Sequence, residues 1–132
     1  ARAKIGFDTA TFIGGSGNDL LQVKYVSAET NHTSPKTVMM DLGTKGDVYE
    51  ITARKFDMIY ANGASEGWDI AKLWDTLGDD KFAADGDRAT MHGPGDELLY
   101  DVMAFDQVNI NRANGGNDTV QKGAAINFKL ME

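Results

Sequence analysis

One fourteen-residue pattern occurs twice in this chain without a gap, as FDMIYANGASEGWD (Phe56 to Asp69) and FDQVNINRANGGND (Phe105 to Asp118). Each copy runs from a Phe-Asp pair through alternating residues to a Gly-x-Asp turn, so the chain is expected to solve one packing problem more than once. The similarity continues outward. Gly78-Asp79-Asp80-Lys81-Phe82 parallels Gly17-Asn18-Asp19-Leu20-Leu21, and Ala89-Thr90-Met91 parallels Thr37-Val38-Met39. On the same alignment Ala71-Lys72-Leu73 and Asp75-Thr76 fall opposite Ala3-Lys4-Ile5 and Asp8-Thr9. The 132 residues therefore read as one domain of two units, about 3–70 and 71–120, with 121–132 beginning a third.

Short strands are expected throughout. Gln107 to Asn111 alternates polar with apolar, Ile126, Phe128 and Leu130 alternate likewise, and Gly/Asn/Asp turns recur between such runs. One segment supports two readings: Ile70, Leu73, Trp74 and Leu77 also have helical spacing before Gly78, which allows a short helix near 69–77. The fold class expected is all-β, a repeat-built parallel β-solenoid or β-roll. Glu29 to Pro35 reads as an exposed polar loop.

The charge sits at the corners. Of 20 acidic residues 15 are Asp, accompanied by 8 Asn and 15 Gly, residue types that favour turns over helical faces. A net charge of -7 disfavours nucleic acid and anionic membrane as partners and makes multivalent cations the natural complement. No run approaches the ~18 apolar residues of a membrane helix, so membrane insertion is not expected. With no cysteine, disulfides and thiolate-metal chemistry are excluded.

The segment Gly14-Gly15-Ser16-Gly17-Asn18-Asp19-Leu20-Leu21-Gln22 resembles the nonapeptide G-G-x-G-x-D-x-U-x of repeats-in-toxin (RTX) regions in bacterial secreted and cell-surface proteins, where U is a large apolar residue. Gly78 to Phe82 and Gly115 to Val120 are truncated versions, and Gly67-Trp68-Asp69 is weaker still. The resemblance implies Ca²⁺ held by the turns, an extracellular location, and folding triggered by the ion. Glycines let a turn aim carbonyl oxygens inward, and the Asp supplies a hard anionic oxygen. The ligating turns expected are Gly15, Gly17, Asn18, Asp19, Asp79, Asp80, Asn117 and Asp118, anchored by Leu21, Phe82 and Val120. Along that series the turns lie 38 to 61 residues apart rather than adjacent, which requires coils wider than those of the family.

Other chemistry is poorly supported. Gly63-Ala64-Ser65-Glu66-Gly67 satisfies G-x-S-x-G, but a nucleophile elbow needs a large α/β sheet, and the second copy of the repeat has no serine. His32 and His92 lack ligand spacing, and no carboxylate pair stands out as a glycosidase dyad. The chain is expected not to be an enzyme. Asp57 and Asp106 read as turn acceptors, and Phe56, Phe105, Trp68 and Trp74 as packing residues. Two alternatives to a calcium-stabilised structural or adhesive module remain: a lectin-like carbohydrate-binding module of a secreted polysaccharide-acting enzyme, using Trp68 and Trp74 if they are exposed, and a filament subunit self-associating through solenoid ends.

Overall fold

Most segments that alternate apolar with polar residues between Gly/Asn/Asp turns become strands in the computed structural model, which describes residues 9–15, 17–25, 35–41, 50–54, 58–63 and 66–132; the alternation of Ile126, Phe128 and Leu130 does not make one strand, because the extended run breaks at residues 127–128 and Ile126 and Leu130 fall in different sheets. In chain order these are β1 (Thr9–Ile13), β2 (Asp19–Tyr25), β3 (Pro35–Asp41), β4 (Glu50–Arg54), β5 (Met58–Asn62), β6 (Ile70–Trp74), β7 (Lys81–Gly86), β8 (Arg88–His92), β9 (Leu98–Met103), β10 (Gln107–Asn111), β11 (Thr119–Ile126) and β12 (Lys129–Met131). No helix occurs among the described residues, so the all-β expectation holds. Of the loop expected over Glu29 to Pro35, residues 29–34 lie outside the described residues, as do Phe56, Asp57 and Ser65, while Pro35 is not loop but the first residue of β3, paired with Tyr25.

The strands form two open, mostly parallel six-stranded sheets, ordered β1-β5-β9-β8-β7-β11 and β12-β10-β6-β2-β3-β4. Advancing five strands along the chain exchanges the sheets. The antiparallel meander β2-β3-β4 in the second sheet answers β7-β8-β9 in the first, and the parallel pairs β1·β5 and β2·β6 answer β6·β10 and β7·β11. The two Phe-Asp copies accordingly run into β5 and β10, on different sheets. Only β12 departs, pairing with β10 over three residues.

β6 is a strand and not a helix turn. Its backbone is hydrogen-bonded to β2 on one side and β10 on the other, while Ala71 and Leu73 point into the core and Ile70, Lys72 and Trp74 point out. Leu77, which completed the helical spacing, is exposed. The core between the sheets takes Phe12, Leu21, Val23, Ile59, Leu73, Phe82, Met91, Tyr100, Phe105, Val108 and Ile110 from both layers. Leu21 and Phe82 are fully buried and Val120 packs at the margin, while Trp68, expected in packing, is 49% exposed. Tyr100 ties the layers at one end by donating its hydroxyl to Trp74 O.

Because β1, β5 and β9 turn directly into β2, β6 and β10, the return turns gather at one edge of the sandwich. The turns from β6 into β7 and from β10 into β11 gather at the other.

Candidate metal centre

At both edges, Gly-x-Asp turns stack in one geometry. Where Gly67-Trp68-Asp69 lies on Gly17-Asn18-Asp19, Trp68 N–H donates to Asn18 Oδ1 (2.7 Å) and Asp19 N–H donates to Asp69 Oδ1 (2.8 Å). Where Gly116-Asn117-Asp118 lies on Gly78-Asp79-Asp80, Asn117 N–H donates to Asp79 Oδ1 (2.7 Å) and Asp80 N–H donates to Asp118 Oδ1 (2.9 Å). Each pair of turns thus exchanges two hydrogen bonds through the residue types the motif specifies. The glycines are needed because Gly67 and Gly116 have φ of 89° and 78°, and a Cβ on either would strike the carbonyl oxygen of Gly17 or Gly78.

The first edge continues as a ladder. Gly15 N–H donates to Asp19 Oδ2 (2.7 Å), and Asp69 N–H donates to Asp106 Oδ2 (2.8 Å), so Asp106 is the turn acceptor expected of it. Asp19 and Asp69 are wholly buried. Asp69 Oδ2 has no hydrogen-bond partner among the described residues. Burial, followed by the charges of Asp19 and Asp106, outweighs the Asp19 N–H bond and raises the Asp69 pKa from 3.8 to about 6.

The second edge concentrates charge. Asp75, Asp80 and Asp118 each aim a carboxylate oxygen into one spot, all within 4.8 Å of one another, with Asp75 and Asp80 buried. Three backbone or hydroxyl donors fix their orientation: Thr76 N–H and Oγ1–H to Asp80 (2.7 and 2.9 Å), and Asn114 N–H to both oxygens of Asp75 (3.0 Å each). Burial raises the Asp80 pKa, which the Thr76 bonds lower and the charges of Asp118 and Asp79 raise again. The Asp75 pKa is also raised, by burial first and then by its contact with Asp118 against the opposing Asn114 bond. No ion pair to any of the three occurs among the described residues. A buried carboxylate elsewhere is treated differently: Asp101 receives a two-pronged hydrogen bond from the Arg88 guanidinium.

Of the expected ligating residues, Asp80 and Asp118 come together here. Asp79 and Asn117 flank them in the exposed part of the turns, while Gly15, Gly17, Asn18 and Asp19 stand at the opposite edge. The nonapeptide therefore stacks on Gly67-Trp68-Asp69, 50 residues away, rather than on the Gly78 turn. Asp75 was missed as a ligand, although its five-residue lead on Asp80 mirrors that of Gly14 on Asp19: Thr76 N–H binds Asp80 as Gly15 N–H binds Asp19. Aligning Asp75 with Asp8 hid this correspondence. The G-x-S-x-G string leads into strand β6, not into a helix. No family model, curated protein or solved structure matches the chain.

Proposed function

We propose that this chain is a calcium-binding, calcium-stabilised structural or adhesive module of a secreted or cell-surface bacterial protein, without catalytic activity. The observation that carries the proposal is the convergence of Asp75, Asp80 and Asp118 within 4.8 Å. Ca²⁺ binds six to eight oxygens at about 2.3–2.6 Å, so two of its ligands lie at most ~5 Å apart, and three hard carboxylate oxygens at this separation fit it. The pattern of neutralisation points the same way. The fold supplies Arg88 to the buried Asp101, but among the described residues no side-chain cation pairs with the cluster, which a divalent ion would complete.

The mechanism is coupled binding and folding. Asp75 comes from the turn after β6 and Asp118 from the turn after β10, so the cluster exists only when the two turns are stacked. In the unbound protein, repulsion among buried carboxylates opposes stacking. An ion removes that repulsion and makes the stack the binding site, so binding free energy becomes folding free energy. The passage of the chain between two mostly parallel sheets and the in-register turns support a β-roll or solenoid reading of the architecture, and with it the RTX resemblance and an extracellular setting.

Far-ultraviolet circular dichroism of chelator-treated protein during a calcium titration, with magnesium as control, tests this. A calcium-specific gain of β signal is expected. Full β signal in chelator, unchanged by calcium, together with unchanged stability, would remove the proposal.

A further inference from the structure

A groove of about 690 Å³ lies on the outer face of the second sheet, within the size range of small-molecule sites, and runs up to the second acidic edge, where Trp74 precedes Asp75 and Ala113 precedes Asn114. Parallel register builds its floor: Gln22, Lys72, Asn109 and Met131 form one row across four strands, with Trp74 beside Asn111 in the next. Strand alternation makes this face available, since Ala71 and Leu73 enter the core while Lys72 and Trp74 turn outward. Arg112 and Glu132 form the wall.

The local charge is opposite to that of the molecule. On a chain of net charge -7, Lys72, Arg112, Lys122 and Lys129 gather on or beside this face. The one carboxylate among them, Glu132, bridges to Lys122 at 2.7 Å and to Arg112 at 3.9 Å. A half-buried indole offers an apolar plane for the C–H face of a sugar ring. Asn109 Oδ1 and Asn111 Oδ1 already accept from Gln107 Nε2 and Ala113 N–H, which orients their NH2 groups as donors to ring hydroxyls, and Gln22 adds a further amide. Lys72 and Arg112 add charge-assisted contacts for an anionic substituent.

We propose that this groove binds an acidic oligosaccharide, a chain of uronate-type sugars, through residues other than those of the calcium cluster. Duplex nucleic acid, with a charge every ~1.7 Å of its axis, is repelled more strongly by the acidic edges than a glycan carrying one charge per ring. Single-stranded nucleic acid relies on aromatic side chains that stack successive bases, and the groove's lining holds one, Trp74.

The chain holds two tryptophans, so Trp68→Phe leaves Trp74 as the sole indole reporter. Hexagalacturonate, cellohexaose and a short single-stranded DNA would each be titrated against that variant, in calcium and again in chelator, with circular dichroism confirming the fold. Saturable change in Trp74 emission with hexagalacturonate alone is expected, and Lys72→Ala in the same background should weaken it about ten-fold, the effect of one lost charge-assisted contact. An equal response to cellohexaose, a stronger response to DNA, no saturable response, or affinity unchanged in Lys72→Ala would overturn the proposal. If calcium folds the chain the arm in calcium reads the groove, and if calcium has no effect both arms read it, so failure of the calcium reading and failure of this one are distinguishable.

Discussion

Asp69 sits fully buried between the charges of Asp19 and Asp106 with one carboxylate oxygen unpartnered among the described residues, and its pKa of about 6 has a direct thermodynamic consequence. An aspartate whose folded pKa exceeds its unfolded value holds a proton more tightly in the native state. Its contribution to stability is fully present below about 3.8 and is lost as the pH rises through about 6, amounting to at most about 3 kcal/mol. In chelator, stability should therefore fall between pH 4 and pH 6.5. Asp69→Asn keeps the acceptor for Asp19 N–H and removes the charge, so chemical denaturation should show a higher stability at pH 7 and a shallower pH slope. The slope should lessen rather than vanish, because Asp75 and Asp80 are shifted in the same direction. A less stable Asn variant with an unchanged slope would refute this assignment. Glycines allow a second comparison. Gly95 and Gly116 both have positive φ, but a Cβ on Gly95 meets nothing within 4 Å whereas one on Gly116 collides with Gly78 O. Gly95→Ala should cost about 1 kcal/mol and Gly116→Ala about 3 kcal/mol or more. Equal losses in thermal unfolding would show that the turns do not stack as closely as described.

Among the elements, β10 and the turn after it were legible because their signals are local: alternation sets the strand and Gly-x-Asp sets the turn. β6 was ambiguous for a physical reason. Its apolar residues suit both periods, and only the flanking strands β2 and β10, drawn from elsewhere in the chain, decide in favour of the extended form. The cluster was half legible. Asp80 and Asp118 carry the motif, but Asp75 acquires its role from Asn114, 39 residues later, and that neighbour exists only once the turns have stacked. The exchange of sheets every five strands was hidden as well, since two copies of one motif can be related by stacking or by crossing the sandwich. β11 raises a separate prediction. Lys122 pairs with Ala84, a core-facing position, and the strand carries a bulge between Lys122 and Ile126. A charge and a bulge on an edge strand both discourage further pairing. Lys122→Val should consequently make association concentration-dependent in sedimentation velocity, and a variant that sediments as the parent does would show that the edge is guarded by something else.

For the whole molecule, the decisive property is the distribution of charge over the two sheets' edges. The turn carboxylates gather there, and the two edges differ: the first distributes Asp19, Asp69 and Asp106 along a ladder of N–H donors, whereas the second concentrates Asp75, Asp80 and Asp118 in one place. The fold thus gathers like charges where two stacked turns meet, and on the proposed function a divalent cation would convert that repulsion into attraction. The thermal midpoint of unfolding, measured in chelator, in calcium and in magnesium for the parent protein and for Asp75→Asn, reads this conversion. At a calcium concentration about a hundred times the dissociation constant, linkage contributes about 2.7 kcal/mol, or roughly a 10 °C rise for a domain of this size. That rise should be specific to calcium and should be largely lost in Asp75→Asn; equal midpoints in chelator and calcium, or a rise that survives Asp75→Asn undiminished, would contradict the assignment of the ion to the Asp75, Asp80 and Asp118 cluster.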